Sequence, residues 1–256
     1  MRGILHAPHP AAKGQVERVA PKEIEMGGSR MMNTKNGKLV IFDCDGVLVD
    51  SEPIAFAVLR EMLADAGLTF TEGWAYENFL GKSMASITAM VAREHHLEID
   101  EPALAAMRKR LYERFEAELE PVHGIDTLLA GFPFAHCVAS SSQLERIRLC
   151  LTKTRLIDHF EPNIFSASMV ANGKPAPDLF LHAARTMGYS PRNCIVIEDS
   201  PAGIRAAKAA GMTAFAFTGA SHAVASNLRP LVESLKPAAI FDDMAQLPGL
   251  IAASGS

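Results

Sequence analysis

The stretch that decides the fold is Lys38–Asp43, which reads KLVIFD and continues into Cys44-Asp45-Gly46. An apolar run without polar alternation is typical of a β-strand that is buried on both faces of a parallel sheet. The run ends in acidic residues, and Gly46 permits a sharp turn directly after them. The sequence therefore predicts a buried parallel strand that carries Asp43 and Asp45 at its carboxyl end.

Two different patterns follow this strand. From about Glu52 to Pro121 the chain shows only helical spacing, most clearly over Ser83–Glu94 and Pro102–Leu119. After Pro121, strand patterns alternate with helix patterns, and the predicted strands are Ala135–Ala139, Asn163–Ser166, Cys194–Glu198, Thr213–Phe217 and Ala238–Phe241. Such alternation is typical of a parallel sheet with helices on both faces. We therefore predict an α/β core over 38–51 and 123–250, interrupted by a helical domain over 52–122.

Composition narrows the class of protein. The chain has 256 residues, 48% of them hydrophobic, and a formal net charge of −4, so it lacks the basic surplus of a nucleic-acid-binding protein. No apolar run approaches the ~18–20 residues that cross a bilayer. The four cysteines form no CxxC pair, which favours reduced, buried thiols. We expect a cytoplasmic protein with neither a nucleic-acid nor a membrane partner, and a monomer.

The N-terminal stretch shows no periodicity and no apolar core of signal-peptide length. We expect residues 1–37 to be a disordered extension. An alternative is that Met31 or Met32 is the true initiator.

Polar side chains gather where the predicted strands end, which is where ligands bind in open α/β sheets. They are Asp43 and Asp45, Ser140-Ser141-Ser142, Lys174 in a loop, and Glu198-Asp199. Two like charges ~4 Å apart at an effective dielectric of ~20 cost about 4 kcal/mol, so four carboxylates sharing a site require a cation. Oxygen ligands favour Mg²⁺. With a lysine and a serine loop that suits phosphate, the pattern indicates phosphoryl transfer. Each feature alone could be a helix cap, a polar loop or a surface lysine, whereas the combination favours function.

The same residues resemble the motifs of the haloacid dehalogenase (HAD) superfamily. Phe42–Glu52 (FDCDGVLVDSE) is similar to its first motif, and Ser140, Lys174 in GKPAPD and Glu198–Gly203 (EDSPAG) are similar to its second, third and fourth. The resemblance extends over about 38–247. The helical insert resembles the cap of the subfamily that includes beta-phosphoglucomutase and 6-phosphogluconate phosphatase-like enzymes. The implied fold class is α/β, a Rossmann-like parallel sheet core with an inserted all-helical cap domain.

The resemblance also implies roles for individual residues. Asp43 is the nucleophile that forms an aspartyl-phosphate, and Asp45 is the acid/base. Ser140 and Lys174 hold the phosphoryl group, and Ser141 is expected to contact substrate beside them. The cofactor is expected to be Mg²⁺, with Asp43, Asp45 (through its backbone carbonyl), Glu198 and Asp199 as the metal site.

Three rival functions remain within this resemblance. Asp45 argues against a dehalogenase, since those enzymes lack the second acid. A beta-phosphoglucomutase uses a histidine and a cap arginine where this chain has Ala55 and Met84, which favours a phosphatase. A non-catalytic binding protein is the remote alternative. We expect a phosphoric monoester hydrolase acting on a sugar, polyol or sugar-acid phosphate.

The cap loop supplies the remaining substrate-contact candidates, which are Gly81, Lys82 and Ser83. Lys82 would suit an anionic substrate. A plain connection between two helices is the alternative.

Overall fold

The computed structural model describes residues 37–79 and 84–254. The extension predicted over 1–37 therefore lies outside the described residues except for Gly37. The candidates Gly81, Lys82 and Ser83 also lie outside them.

Within the described residues, six strands form one parallel sheet in the order β3-β2-β1-β4-β5-β6. The strands are β1 Leu39–Phe42, β2 Ala135–Ser140, β3 Ile164–Ser166, β4 Cys194–Glu198, β5 Thr213–Phe217 and β6 Ala239–Phe241. The predicted strand Lys38–Asp43 is thus β1 at the centre of the sheet. Because all strands run in the same direction, their carboxyl ends lie at one edge. The predicted α/β fold with a parallel sheet is confirmed.

Helices cover both faces of this sheet. They are α5 Ile125–Ala130, α6 Leu144–Lys153, α7 Ile157–Phe160, α8 Asp178–Met187, α9 Pro201–Ala209, α10 His222–Ala225, α11 Leu228–Glu233 and α12 Leu247–Ala253. Alternate residues of β1 serve the two faces, because successive strand side chains point in opposite directions. Val40 and Phe42 belong to one hydrophobic cluster, and Leu39 and Ile41 belong to the other. All four cysteines are free and buried.

The start and the end of α9 match their sequence signals. Ser200 caps the helix, since its side chain accepts a hydrogen bond from the Gly203 backbone N–H. Gly211 adopts the left-handed conformation after the helix, with φ of 70°. Ser200 thus fixes the start of α9 directly after the carboxyl end of β4, and Gly211 ends the helix before β5.

The described part of the segment 52–122 contains four helices and none of the six strands. Its helices are α1 Glu52–Asp65, α2 Glu72–Phe79, α3 Met84–His95 and α4 Glu101–Glu118. Asp100 caps α4 by accepting the Ala103 backbone N–H. The insert has its own hydrophobic cluster, which includes Leu63, Phe79 and Val91. No helix in the described ranges is long and apolar enough to span a membrane.

Candidate active site

The register of the sheet brings the first and fourth motifs together. Phe42 pairs with Ile197, and the Asp43 backbone N–H donates to the Ile197 carbonyl at 2.9 Å. One carboxylate oxygen from each of Asp43, Glu198 and Asp199 lies within 4.8 Å of the others. In the part of the chain that the structure describes, no other such group of three or more His, Cys, Asp or Glu side chains occurs. Three of the four predicted metal-site residues therefore present their side chains to one point.

Lys174 supplies the positive charge of this acidic cluster. Its Nζ donates to Asp43 Oδ1 at 2.7 Å and to Glu198 Oε1 at 2.6 Å, and its side chain is 3% exposed. Burial raises the pKa of Asp43 well above its usual range, and the Lys174 charge offsets only part of that rise. Burial would lower the pKa of Lys174, but the two carboxylates outweigh burial and raise it. Lys174 is therefore a fixed cation beside the predicted nucleophile.

The Glu198 carboxylate is held at both oxygens. Its Oε2 accepts from the backbone N–H and the hydroxyl of Ser200, both at 2.9 Å. Gly203 makes room for it, since a Cβ at that position would lie 1.7 Å from Glu198 Oε1. The start of α9 thus fixes the orientation of Glu198.

Asp45 has a different environment from the other three acids. Its Oδ1 accepts from the Ser51 hydroxyl and from Arg146 Nη2, and its Oδ2 accepts from the Ser142 hydroxyl, each at 2.7 Å. Burial alone would raise the pKa of Asp45, but the Arg146 charge and these hydrogen bonds outweigh it and lower the pKa. The Asp45 side chain therefore has a counter-charge of its own in Arg146, and it does not belong to the group of three carboxylates that meet at one point. The predicted metal contact through its backbone carbonyl stays a prediction.

The serine loop follows β2 at the same edge. Ser140 is buried, and its Oγ accepts the Ser142 backbone N–H at 3.1 Å. Ser166, at the end of β3, donates its hydroxyl to the Ser142 carbonyl at 2.7 Å. Ser141 is exposed on this loop. The loop is therefore held by β3 on one side and by Asp45 on the other.

Two further titratable side chains border the acidic cluster. His222, on α10 after β5, lies with Nε2 3.2 Å from Asp199 Oδ2. Burial would lower the pKa of His222, but its hydrogen bond with Asp199 outweighs burial and raises it. Burial, together with the charges of Asp45 and Asp199, raises the pKa of Glu52 to about 7. The site therefore extends to Glu52, the first residue of α1, and to His222, the first residue of α10.

Comparison with known proteins identifies the family of this chain. The family model described as haloacid dehalogenase-like hydrolase matches residues 38–211. This chain belongs to that family. The 6-phosphogluconate phosphatase of Escherichia coli (strain K12) is 31% identical over 217 residues, which cover 84% of this chain and 95% of that protein. The beta-phosphoglucomutase of Bacillus subtilis (strain 168) is 31% identical over 186 residues, which cover 69% of this chain and 81% of that protein.

A solved structure supports the same assignment of this HAD-like hydrolase. A conserved haloacid dehalogenase-like protein of unknown function from Agrobacterium tumefaciens str. C58 matches with a TM-score of 0.78 and 36% identity. The match covers 86% of this chain and all of the other. The predicted family and the predicted class, a phosphoric monoester hydrolase, are confirmed.

Three residues of the HAD-like site were not predicted as site residues from the sequence: Glu52, Arg146 and His222. His222 lies soon after the end of β5, so the same search of strand ends would have found it. Glu52 closes the first motif, and its position beside the charges of Asp45 and Asp199 was the missing information. Arg146 had no comparable signal, because only the direction of the first turn of α6 brings it back to Asp45.

Proposed function

We propose that this HAD-like hydrolase is a magnesium-dependent phosphatase that hydrolyses a small phosphorylated metabolite through an aspartyl-phosphate on Asp43. The observation that carries the proposal is the buried Lys174 ammonium, which bridges Asp43 and Glu198 beside a third carboxylate from Asp199. A nucleophile, a fixed cation and a set of oxygen ligands at one point are the parts that phosphoryl transfer needs.

The donor set fits a magnesium ion. Three carboxylates and one ammonium leave two negative charges when all are ionised, and the available donors are oxygens. Mg²⁺ prefers such hard ligands and takes one or two carboxylates together with waters and phosphate. Asp43, Asp199 and the backbone carbonyl of Asp45 would hold it, with Glu198 in contact directly or through water. Bound there, the cation would neutralise charge on the transferring phosphoryl group.

The roles of the chain's own residues follow from their contacts. An Asp43 carboxylate oxygen attacks phosphorus, so a bond to phosphorus forms there while the bond to the substrate oxygen breaks. Lys174 favours the ionised nucleophile against the effect of burial and, with Ser140, would hold the phosphoryl oxygens. In the first step a protonated Asp45 gives its proton to the leaving oxygen and becomes ionised. In the second step it takes a proton from the water that breaks the Asp43–phosphorus bond, which returns Asp45 to its protonated starting form. The ionised form of Asp45 that Arg146 favours is the form this second step requires.

The substrate class rests on the relatives and on the cap loop. One relative is named as a 6-phosphogluconate phosphatase, which supports a sugar, polyol or sugar-acid phosphate here. Lys82 stays a candidate for contact with an anionic substrate. The phosphomutase alternative has support from the beta-phosphoglucomutase relative. Against it, Ala55 and Met84 stand where the mutase is expected to use a histidine and an arginine, and both pack against hydrophobic clusters.

The test is an activity screen with phosphorylated sugars, polyols and sugar acids in the presence of Mg²⁺. We expect steady phosphate release that EDTA abolishes and that Asp43→Asn abolishes. Asp158→Asn, at an exposed position on α7, is the matched control and should retain activity. Conversion of a sugar 1-phosphate into its 6-phosphate without release would instead identify a mutase. Binding of a sugar phosphate without turnover would identify a binding protein.

A further inference from the structure

The contact between His222 and Asp199 joins the β5 end of the sheet to the acidic cluster. His222 is 3% exposed, and its Nε2 lies 3.2 Å from Asp199 Oδ2. Its Nδ1 is buried and has no hydrogen-bond partner among the described residues. A buried ring nitrogen without a partner is unfavourable, so the hydrogen bond that stabilises the ring is the one made by Nε2. The polar contact of His222 is therefore directed at Asp199.

The loop of the first motif fixes the position of this histidine. The preceding residue, Ser221, donates its backbone N–H and its hydroxyl to Asp50 Oδ1, at 3.3 and 2.9 Å. The ring itself lies against Gly46, because a Cβ there would be 3.0 Å from His222 Cε1. The chain is thus held at Ser221, directly before His222, and the ring of His222 is held against Gly46.

The same glycine confines Asp199. A Cβ on Gly46 would lie 2.0 Å from Asp199 Oδ2, so this oxygen is enclosed between the Gly46 backbone and the His222 ring. A hydrogen bond to one carboxylate oxygen sets the rotation of the whole group. Partners that hydrogen-bond a metal ligand in this way orient it for the metal.

We propose that His222 is a positioning residue for the metal site: its Nε2–H donates to Asp199 and holds that carboxylate in the rotation that metal binding requires. The inference rests on the proposed magnesium site and adds a residue from outside the four motifs. Loss of such a partner typically weakens metal affinity by about 10–100-fold.

Two amide substitutions test whether the position of the N–H donor matters, since both replace the ring but only one keeps a donor at the same distance from Cβ. In His222→Gln the amide nitrogen lies three bonds from Cβ, as Nε2 does in histidine, whereas in His222→Asn it lies only two bonds away. Isothermal titration of metal-free protein with Mg²⁺, and Mn²⁺ binding followed by electron paramagnetic resonance, measure affinity without substrate. We expect H222N to weaken binding by about 10–100-fold and H222Q to stay within about threefold of wild type.

Controls test whether the effect is specific to this contact. His159→Gln, at an exposed histidine on α7, should bind Mg²⁺ like the wild type. Ser221→Ala removes the hydroxyl tether to Asp50 and should cause a smaller loss than H222N, which provides a second measurement if H222N does not fold. The magnesium concentration for half-maximal phosphatase activity should rise with the dissociation constant. The KM for p-nitrophenyl phosphate at saturating Mg²⁺ should change less than about twofold.

The outcomes distinguish this inference from the proposed function. Wild-type affinity in folded H222N, or an equal loss in H222Q and H222N, would overturn the positioning role while leaving magnesium-dependent hydrolysis intact. Should H222N not fold, wild-type affinity in S221A would overturn it. A wild-type protein that binds neither Mg²⁺ nor Mn²⁺ would overturn the metal site and the inference together.

Discussion

Replacing Lys174 by methionine tests the charge balance of the site. Methionine keeps an unbranched apolar chain against Phe180 but removes the ammonium, which lies 2.7 Å from Asp43 Oδ1 and 2.6 Å from Glu198 Oε1. The two carboxylates, with oxygens within 4.8 Å, would then face each other without a cation. At an effective dielectric of ~20, two unit charges at that separation repel by about 3.5 kcal/mol. This agrees with the ~3–5 kcal/mol typical of breaking a buried ion pair.

We therefore expect K174M to lower the free energy of unfolding of the metal-free protein by about 3–4 kcal/mol at pH 8. The loss should be smaller at pH 5, because a carboxyl that takes up a proton no longer repels its neighbour. Mg²⁺ should stabilise K174M more than the wild type, since the variant presents more negative charge to the ion.

Urea unfolding in EDTA and in Mg²⁺ measures both effects. Lys109→Met is the matched control: this lysine is 78% exposed and pairs only at the surface with Glu113, so the expected change is below about 1 kcal/mol. The reasoning is refuted if K174M in EDTA is as stable as wild type, or if Mg²⁺ stabilises both proteins equally.

Three further predictions concern the site and the core. Gly203→Ala would place a Cβ 1.7 Å from Glu198 Oε1, so we expect weaker Mg²⁺ binding by calorimetry and a loss of about 100-fold in kcat/KM. Gly249→Ala, where a Cβ meets nothing within 4 Å, is its control and should leave both unchanged. The pKa of Glu52 is raised from 4.5 to about 7, so the folded metal-free protein favours the protonated carboxyl. The contribution of Glu52 to the free energy of unfolding is therefore fully present below pH ~4.5 and is lost as the pH rises through ~7. This contribution is about 3 kcal/mol. Urea unfolding at pH 5 and 7.5 measures it, and Glu52→Gln should reduce the difference in the free energy of unfolding between the two pH values. Because burial raises the pKa of the four cysteine thiols, Ellman's reagent should label them only after denaturation, and rapid labelling of the native protein would contradict their burial.

The sheet was predictable because its strands are short apolar runs with sharp ends. The predicted bounds Cys194–Glu198 and Thr213–Phe217 match β4 and β5, and Lys38–Asp43 exceeds β1 by one residue at each end. The short helices α5, α7, α10, α11 and α12 were not predicted. They have four to seven residues, fewer than two full turns, so they carry too little periodicity to be read from sequence.

In the site, the positions of residues at strand ends could be predicted, whereas contacts between residues far apart in sequence could not. The strand-end acids could be placed at one edge because a parallel sheet aligns its carboxyl ends. The partner of Asp45 could not be predicted, since Arg146 lies 101 residues away and reaches Asp45 only through the packing of α6. For the same reason the sequence overstated the crowding of charge: it places the acids near one another but does not show which cation serves which acid.

The way the buried acids share their counter-charges also indicates whether this cluster serves function or stability. Asp45 has its own arginine, whereas Asp43, Glu198 and Asp199 share one lysine and a histidine. Burying three carboxylates around one ammonium is costly, and apolar residues of similar volume would often be more stable. A protein that only needed to fold would gain by losing this cluster. The three carboxylates at the point where the strand ends converge are therefore not explained by stability, and they support the proposed binding of a divalent cation and a phosphoryl group.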